Sequence, residues 1–581
     1  MISGGPTSPQ IASDRALELP RAAIALLVVC GLLSVTVWIT SDRITATVLS
    51  DYFLINQDIL LAIFLAIALV AANALRMPSL RLSEPAINAR HVLLLSVVLG
   101  LACYAGHYFL LSGYDLSRDE QLAVFDSRIF SAGELVAPLA KEWRDNVDAL
   151  NTMFLLEVPD NGALVSNYLP VGAMVRSFVG LFGDPALANP IFVGLGAMTL
   201  WAIVRKLWPG DRSAALIAMV LYAGSGQILF NGMTAYAMTG HLALNLVWIW
   251  LFLRGRLVAD IGALVVGLAA TGLHQPVFHP LFAGPFIAML FFRRDYRRFA
   301  LYVAGYGLIA AFWALWPIWM SAIGGQGAAG ANEAGFTTRL AYFLEGAGPA
   351  DIRLMILNMV RYFTWQHALA LPLLVFGMRA AWRENDFARA LIISFLMPLP
   401  AMLVLSPYQG HGWGYRYLHG EIGPAILIAV YGWKSLRFDE RRRMALVTVS
   451  TAATFLLMMP AQAYFMHGIY APYARMSQEI DKADADYAII GNHPAPFSDD
   501  LANNRPDLSN RPLRLLQTQV TPETVARICK NGASAVFIGY ADMGPMREVF
   551  GAAMESHDDE LRAFKKAMAL AGCRRVSWPP L

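Results

Sequence analysis

Residues 91–111 read HVLLLSVVLGLACYAGHYFLL, and residues 114–129 read YDLSRDEQLAVFDSRI. The first stretch has the length of about 20 apolar residues that a membrane-spanning helix needs. The second follows it directly and carries acidic and basic side chains that are costly in a bilayer. This junction predicts a membrane protein whose chemistry lies where a helix leaves the lipid.

The composition points to the same class. The chain has 581 residues, of which 57% are hydrophobic and 15% are charged, whereas soluble domains carry roughly 25% charged residues. We therefore expect a polytopic membrane protein in contact with lipid over most of its length. A net charge of +3 is too small to indicate a nucleic-acid partner, and the basic residues form short clusters rather than one patch.

Apolar runs long enough, or nearly long enough, to span a bilayer recur along the chain and predict about thirteen transmembrane helices. They cover residues 22–39, 58–75, 91–111, 186–204, 213–230, 238–253, 259–275, 277–292, 300–320, 366–381, 388–405, 422–434 and 444–462. The first run lacks a convincing cleavage site and is interpreted as a retained helix.

Basic clusters fall on alternate loops, and such loops face the cytoplasm. Residues 1–21 are then cytoplasmic, residues 22–462 form the transmembrane domain, and the long loop 112–185 lies on the outer side. Residues 463–581 also lie outside. The expected location is a bacterial inner membrane, crossed many times, with a periplasmic C-terminal domain.

The C-terminal segment has a different pattern from the rest of the chain. Short buried strands are predicted at 484–491, 513–516 and 533–539, and helices at 521–531, 543–553 and 557–571. The fold class is therefore an all-α polytopic membrane protein with a small α/β soluble domain. Cys529 and Cys573 could form a disulfide if their compartment is oxidising. The Gly/Ala-rich stretch 324–335 is expected to be a flexible loop and a candidate lid.

The stretch 114–129 is expected to form a helix lying in the membrane interface. At about 100° per residue, Asp119 and Asp126 lie together at the border of its apolar face, and Glu120 points nearly the opposite way. Ionisable groups so close to lipid suggest function. The alternative is that these side chains only solvate the helix.

Two further stretches combine aromatic and ionisable residues. LHQPVFHP, residues 273–280, places His274 and His279 at a predicted helix break, and QGHGWGYRYLHGE covers residues 409–421. The candidate binding residues of the second stretch are His411, Trp413, Tyr415, Arg416, Tyr417 and His419. An arginine fork suits phosphate oxygens, and the aromatic faces suit a sugar ring or an isoprenoid. An aromatic belt at the membrane surface is the alternative, although it leaves the arginine and the histidines unexplained.

The histidines of these two stretches are also candidates for a metal site, since imidazole is a common ligand. Neither HQPVFH nor HGWGYRYLH has an established ligand spacing, and isolated histidines often bond only to the backbone. No cofactor is therefore predicted, with a divalent cation left as an alternative.

The order of several loose motifs resembles the GT-C superfamily of polytopic glycosyltransferases. These motifs are the acidic pair after an outward helix, the Tyr-Pro-type motif Asn167-Tyr168-Leu169-Pro170, the basic turn at residues 205–210, and a C-terminal domain on the outer side. The branch that it resembles contains bacterial protein O-mannosyltransferases and lipid-A aminoarabinose transferases. Such enzymes use polyprenyl-phosphate sugars.

The resemblance implies roles at the matched positions. Asp119 falls on the aspartate that acts as general base on the acceptor hydroxyl or orients it, with Glu120 as its neighbour, and Tyr168 and Pro170 fall on the motif that lines the cavity. The loop 230–236 has no acid, which argues against a metal-bridged carboxylate pair and favours metal-independent inversion.

The sequence thus predicts a glycosyltransferase that transfers a sugar from a polyprenyl-phosphate donor to a hydroxyl of an envelope glycan, lipid or protein. One alternative is a transporter or lipid flippase, although no inverted repeat with paired broken helices is present. A second is a non-catalytic partner in glycan assembly.

Overall fold

The computed structural model describes residues 19–40, 49–74, 84–325, 349–492, 495–550 and 558–577. Seven helices in these ranges are long and apolar enough to cross a membrane by length and composition: Leu19–Thr36, Leu49–Ala74, Ala89–Phe109, Pro185–Leu207, Tyr296–Gly324, Asp386–Leu405 and Glu440–Lys482. Shorter apolar helices are Val171–Gly180, Arg212–Ala223, Met238–Phe252, Leu257–Thr271 and Phe278–Phe292. The chain is a multi-pass membrane protein, and the predicted fold class is confirmed.

Every predicted apolar run coincides with helix, including Ala370–Glu384 and Ile422–Lys434. The number of crossings and the orientation stay predictions. The helix Pro349–Thr364 was not predicted, because its charged residues interrupt the apolar pattern. Residues 1–18 of the predicted cytoplasmic segment and residues 326–335 of the predicted lid lie outside the described residues.

Arg361, in the helix Pro349–Thr364, forms a buried ion pair. Arg361 Nε lies 3.1 Å from Asp58 Oδ2, and the two side chains are 1% and 0% exposed. The guanidinium also donates to Ser50 O at 3.3 Å and lies over the Phe53 ring. A charge so deep in the protein is tolerated only when it is paired, so this contact joins the helices Pro349–Thr364 and Leu49–Ala74.

The C-terminal segment forms a four-stranded parallel sheet. Its strands lie in the spatial order Leu513–Leu516, Tyr487–Ile490, Ser534–Ile538 and Arg574–Arg575. The helices Pro522–Cys529, Gly544–Phe550 and Asp558–Leu570 follow the predicted pattern. Cys529 and Cys573 form a disulfide. The two-residue strand at Arg574–Arg575 was missed because it is too short to show a pattern.

The helix Met459–Lys482 leads into this sheet without interruption, so it runs through the predicted domain boundary at residues 462–463. That boundary stays a prediction. In the loop 112–185, the helix Arg118–Ser131 (the acidic helix) is followed by the paired strands Ala137–Pro138 and Ala163–Leu164. The acidic helix carries the predicted site residues Asp119 and Glu120.

Candidate active site

The acidic helix is a buried element. Leu122, Phe125 and Ile129 share one hydrophobic cluster with Ile489 and Leu515 of the C-terminal sheet. Glu120 is 0% and Asp126 is 4% exposed. The alternative that these side chains only solvate the helix is therefore wrong for Glu120 and Asp126. No pattern in the sequence indicates that residues of the C-terminal domain pack on this helix.

Hydrogen bonds fasten the acidic helix to the same domain. The backbone N–H of Arg118 donates to Asp500 Oδ2 at 3.1 Å, and Gln121 Nε2 donates to Asp500 O at 2.9 Å. Within the loop 112–185, the Arg118 guanidinium donates to Asn151 O at 2.6 Å. These contacts fix the first turn of the helix, which carries Asp119 and Glu120.

The centre of the site is an ion pair between two loops that are far apart in the sequence. Arg416 Nη1 lies 2.5 Å from Asp119 Oδ2, and both side chains are 11% exposed. The Tyr168 hydroxyl donates to the other carboxylate oxygen of Asp119. The structure therefore brings together three predicted site residues that are separated by up to 297 positions.

The loop 406–421 (the arginine loop) holds Arg416 from several directions. The backbone N–H of Arg416 donates to Gln409 Oε1 at 2.9 Å. Gly414 reverses the chain with φ of +73°, a conformation that favours glycine. The guanidinium lies 5.6 Å from the Tyr236 ring and 5.4 Å from the Tyr417 ring. Arg416 Nε is buried without a hydrogen-bond partner among the described residues, so one donor of the fork can bind a ligand.

A second network starts at Glu120, which points away from Asp119 as predicted. Its Oε2 accepts hydrogen bonds from the Tyr470 hydroxyl at 2.9 Å and from Ser117 Oγ at 3.4 Å. Ser117 Oγ lies 2.7 Å from the Tyr236 hydroxyl, which in turn lies 2.9 Å from His411 Nδ1. Glu120 thus orients Tyr236, whose ring lies under Arg416, and it does not contact the ion pair itself.

The carboxyl groups of the acidic helix differ in their electrostatics. Burial raises the pKa of Asp119, but the charges of Arg416 and His274 and the bonds from Tyr168 and Arg416 lower it more, so its pKa lies below the usual value. Burial and Asp115 raise the pKa of Glu120 to about 8. Asp119 is therefore ionised at neutral pH, while Glu120 is largely protonated.

Asp126 lies in the same cavity as Asp119 but has other partners. It accepts bonds from the hydroxyl and the backbone N–H of Ser166. Burial raises its pKa to about 6, against the opposing effect of Ser166 and Arg118. This cavity (the first cavity) is also lined by Tyr168, Tyr236 and His274.

Of three further predicted site residues, one contacts the ion-pair site and two lie elsewhere. The His274 ring stacks on Tyr168 with centroids 4.0 Å apart, so it belongs to the site. His279 bonds to Asn245 and Tyr306 at 2.7 Å each, and Pro170 is buried at the start of the helix Val171–Gly180.

Three residues of the arginine loop lie in the core. Trp413, Tyr415 and His419 are 0% exposed, and Trp413 packs on Trp365 at 5.3 Å. These aromatic residues therefore offer no open face to a sugar. The alternation of aromatic and polar residues in the loop does not indicate which side chains turn inward.

Sequence reasoning missed Tyr236, Tyr470 and Ser166. Tyr236 lies in a loop that drew attention only for its lack of an acid, although a tyrosine between two apolar runs was a usable signal. Tyr470 is on a helix about 350 positions away from Glu120, and nothing in the sequence links them. Among the described residues, no group of three or more His, Cys, Asp and Glu side chains is arranged to hold a metal ion.

Fold and site together define a multi-pass membrane protein with a buried acid–arginine pair under an α/β domain. No protein-family model and no curated protein matches the chain. Among solved structures, it is similar to ArnT from Cupriavidus metallidurans bound to undecaprenyl phosphate, with 13% identity, a TM-score of 0.48, and coverage of 84% of this chain and 90% of that one. The apo state of ArnT is similar at 12% identity, with a TM-score of 0.45 and coverage of 83% and 89%.

ArnT is a lipid A aminoarabinose transferase of the GT-C type, the type of protein that the sequence resembles. At identities of 12% and 13% and TM-scores below 0.5, these likenesses concern the fold alone.

Proposed function

We propose that the chain is a GT-C-type glycosyltransferase that moves a sugar from a polyprenyl-phosphate donor to an acceptor hydroxyl at the outer face of a bacterial inner membrane. The observation that carries this proposal is the buried contact between Asp119 and Arg416. It joins a candidate base to a candidate phosphate ligand, at a site next to apolar helices where a lipid carrier can keep its tail in the bilayer. The acceptor is a hydroxyl of an envelope glycan, lipid or protein.

Donor phosphate and Asp119 compete for the same guanidinium. Arg416 has one nitrogen on Asp119 and its Nε–H without a described partner, and a phosphate that binds this fork draws positive charge away from the carboxylate. The pKa of Asp119 then rises from its depressed value, which makes the group a better base. In this mechanism, donor binding prepares Asp119 to accept a proton.

The reaction is a displacement at the anomeric carbon of the sugar. The acceptor oxygen forms a bond to that carbon, the bond from carbon to phosphate oxygen breaks, and the acceptor proton passes to Asp119. The polyprenyl phosphate leaves with its electron pair, and Arg416 stabilises the negative charge that develops on it. Tyr168 orients the carboxylate through its hydrogen bond. No metal takes part in this scheme.

The test has two stages. Mass spectrometry of the envelope lipids and glycans of a deletion strain first identifies the product that is lost. Transfer to the corresponding acceptor is then measured with purified protein in lipid nanodiscs. With that substrate, Asp119→Asn should reduce transfer by about 10² to 10⁴, the usual contribution of a general base. Asp126→Asn is the matched control on the same helix and cavity and should have a much smaller effect. Normal turnover by Asp119→Asn would refute the assignment.

A second variant tests the phosphate role. Arg416→Lys keeps the charge but loses the planar fork, and we expect weaker use of the donor by about 1.5 to 3 kcal/mol, the contribution of a charged hydrogen bond. The rate at limiting donor should fall while the rate at saturating donor falls less. An unchanged rate at limiting donor would remove Arg416 from the donor site.

A further inference from the structure

Tyr236 connects the two halves of the central ion pair. It lies just before the helix Met238–Phe252 and is 3% exposed. Its ring lies 5.6 Å from the Arg416 guanidinium, and its hydroxyl lies 2.7 Å from Ser117 Oγ, two positions before Asp119. The displacement at the anomeric carbon assigns this tyrosine no role.

The Tyr236 hydroxyl is held from two directions. Ser117 Oγ lies 2.7 Å from it and His411 Nδ1 lies 2.9 Å from it. A hydroxyl can donate one hydrogen bond and accept another, and the nitrogens of a neutral imidazole can do either, so both bonds can form at once. Ser117 is the N-cap of the acidic helix, and His411 belongs to the arginine loop. The hydroxyl is therefore bonded to both segments that carry the ion pair.

The backbone that carries the ring is fixed as well. Asn189 Nδ2, on the helix Ala188–Leu207, donates to Thr234 O at 2.6 Å and to Tyr236 O at 2.7 Å. The backbone N–H of Tyr236 donates to Thr234 Oγ1 at 3.3 Å. The ring is thus attached to a helix that carries neither member of the pair, and it stays in place when the guanidinium turns.

An arginine binds phosphate through the N–H groups at the edge of its planar fork. Asp119 holds one nitrogen of Arg416, and the Nε–H has no partner among the described residues. An aromatic ring attracts a guanidinium through its charge and takes up none of its N–H groups. Tyr417 also lies close, at 5.4 Å, but it is the next residue and shares the backbone of Arg416. Tyr236 therefore gives the fork a fixed reference outside the arginine loop.

We propose that Tyr236 is a positioning residue that directs the N–H fork of Arg416 toward the donor phosphate and ties this direction to the acidic helix through Ser117. The inference rests on the proposed function. Without the ring, the guanidinium samples more orientations, and the phosphate meets the fork in fewer of them. Binding of the phosphate weakens because the site is less preorganised, although no group that contacts the phosphate is removed.

The test measures the Kd of polyprenyl phosphate, without a sugar, for the full-length protein in lipid nanodiscs. Tyr236→Leu removes the ring and should raise the Kd by about 2- to 30-fold, the range of a cation–π interaction. Tyr236→Phe keeps the ring but loses the bonds to Ser117 and His411, and it should raise the Kd by a smaller factor of about two to five.

A double-mutant cycle separates positioning from general damage to the fold. In the Arg416→Gln background, Tyr236→Leu should leave the Kd within about twofold, because the ring has no guanidinium to direct. A merely structural defect would lower the fraction of protein that binds and leave the Kd of the folded fraction unchanged.

Tyr222→Leu and Tyr222→Phe are the matched controls. Tyr222 is 0% exposed, its hydroxyl donates to Val193 O at 2.7 Å, and it does not line the first cavity. Both variants should bind polyprenyl phosphate with the wild-type Kd, even where their melting temperature falls. Thermal melting identifies a variant that fails to fold, and if Tyr236→Leu is one, the Kd of Tyr236→Phe decides.

The outcomes separate this inference from the proposed function. If folded Tyr236→Leu binds with the wild-type Kd, or if its effect adds to that of Arg416→Gln, the positioning role is refuted and the donor site stands. An unchanged Kd of Tyr236→Phe refutes it in the same way when Tyr236→Leu does not fold. If Arg416→Gln leaves the Kd unchanged, the donor site is refuted, and the positioning role with it.

Discussion

Removal of both charges of the central ion pair should destabilise the protein about as much as removal of one charge. Asp119 and Arg416 are in contact at 2.5 Å with side chains that are 11% exposed. Their charge centres are about 4 Å apart, which corresponds to about 4 kcal/mol of attraction at an effective dielectric constant of about 20. Part of this attraction offsets the loss of hydration, and a coupling energy of about 2 to 3 kcal/mol remains.

The variants are Asp119→Asn, Arg416→Gln and the double variant. Each single change leaves a buried charge without its partner and should cost about 3 kcal/mol, whereas the double variant should cost about the same as one single change. Purified protein in mixed micelles is unfolded with increasing SDS, and the free energies of unfolding are compared.

An additive result would refute this reasoning. If the double variant loses the sum of the two single losses within about 0.5 kcal/mol, the two side chains are not coupled. All three variants should lack transfer activity. A double variant that is no less stable than either single variant but lacks transfer would separate the folding role of the pair from its chemical role.

Three other predictions follow from the structure and the charge pattern. The pKa of Glu120 is raised to about 8, so its protonated form stabilises the fold and this stabilisation is lost as the pH rises through 8. In the wild type the melting temperature should therefore fall between about pH 5 and 8.5, and in Glu120→Gln this fall should be smaller. An equal fall in both proteins would contradict the assignment. Asp58→Asn should cost about 3 to 5 kcal/mol because it leaves a buried arginine without its partner. Asp386→Asn, in an ion pair that is 45% exposed on each side, should cost far less, because solvent screens an exposed pair. Equal losses would argue against the buried pair. An alkaline phosphatase reporter fused after Ala474 should be active and one fused at Arg441 inactive, and the reverse result would overturn the orientation.

Sequence reasoning predicted the elements better than their contacts. Hydrophobic runs predict helices because a bilayer imposes length and composition on them, and the strands Leu513–Leu516 and Ser534–Ile538 were predicted nearly to the residue. The helix Pro349–Thr364 was missed because Arg361 breaks the apolar pattern. Asp58, the ion-pair partner of Arg361, lies 303 positions away, and no local pattern links the two residues.

In the candidate site, too, the residues could be predicted from the sequence but their contacts could not. Asp119, Arg416 and Tyr168 were each singled out from local residue types, but their convergence is a property of the tertiary fold. Trp413 and Arg416 are three positions apart, yet one side chain is buried in the core and the other reaches a cavity. Periodicity cannot assign such directions in an irregular loop held by glycines.

The contact between the acidic helix and the C-terminal domain has a consequence for biosynthesis. Arg118 and its partner Asp500 are separated by 382 residues, so at about 5 to 20 residues per second the ribosome completes the partner roughly 20 to 80 s after the helix. During that interval the backbone N–H of Arg118 and the side chain of Gln121 lack the bonds that they make to Asp500 in the finished protein. The first turn of the acidic helix, which carries Asp119, therefore gains its contacts to Asp500 only after the C-terminal domain has been synthesised and folded.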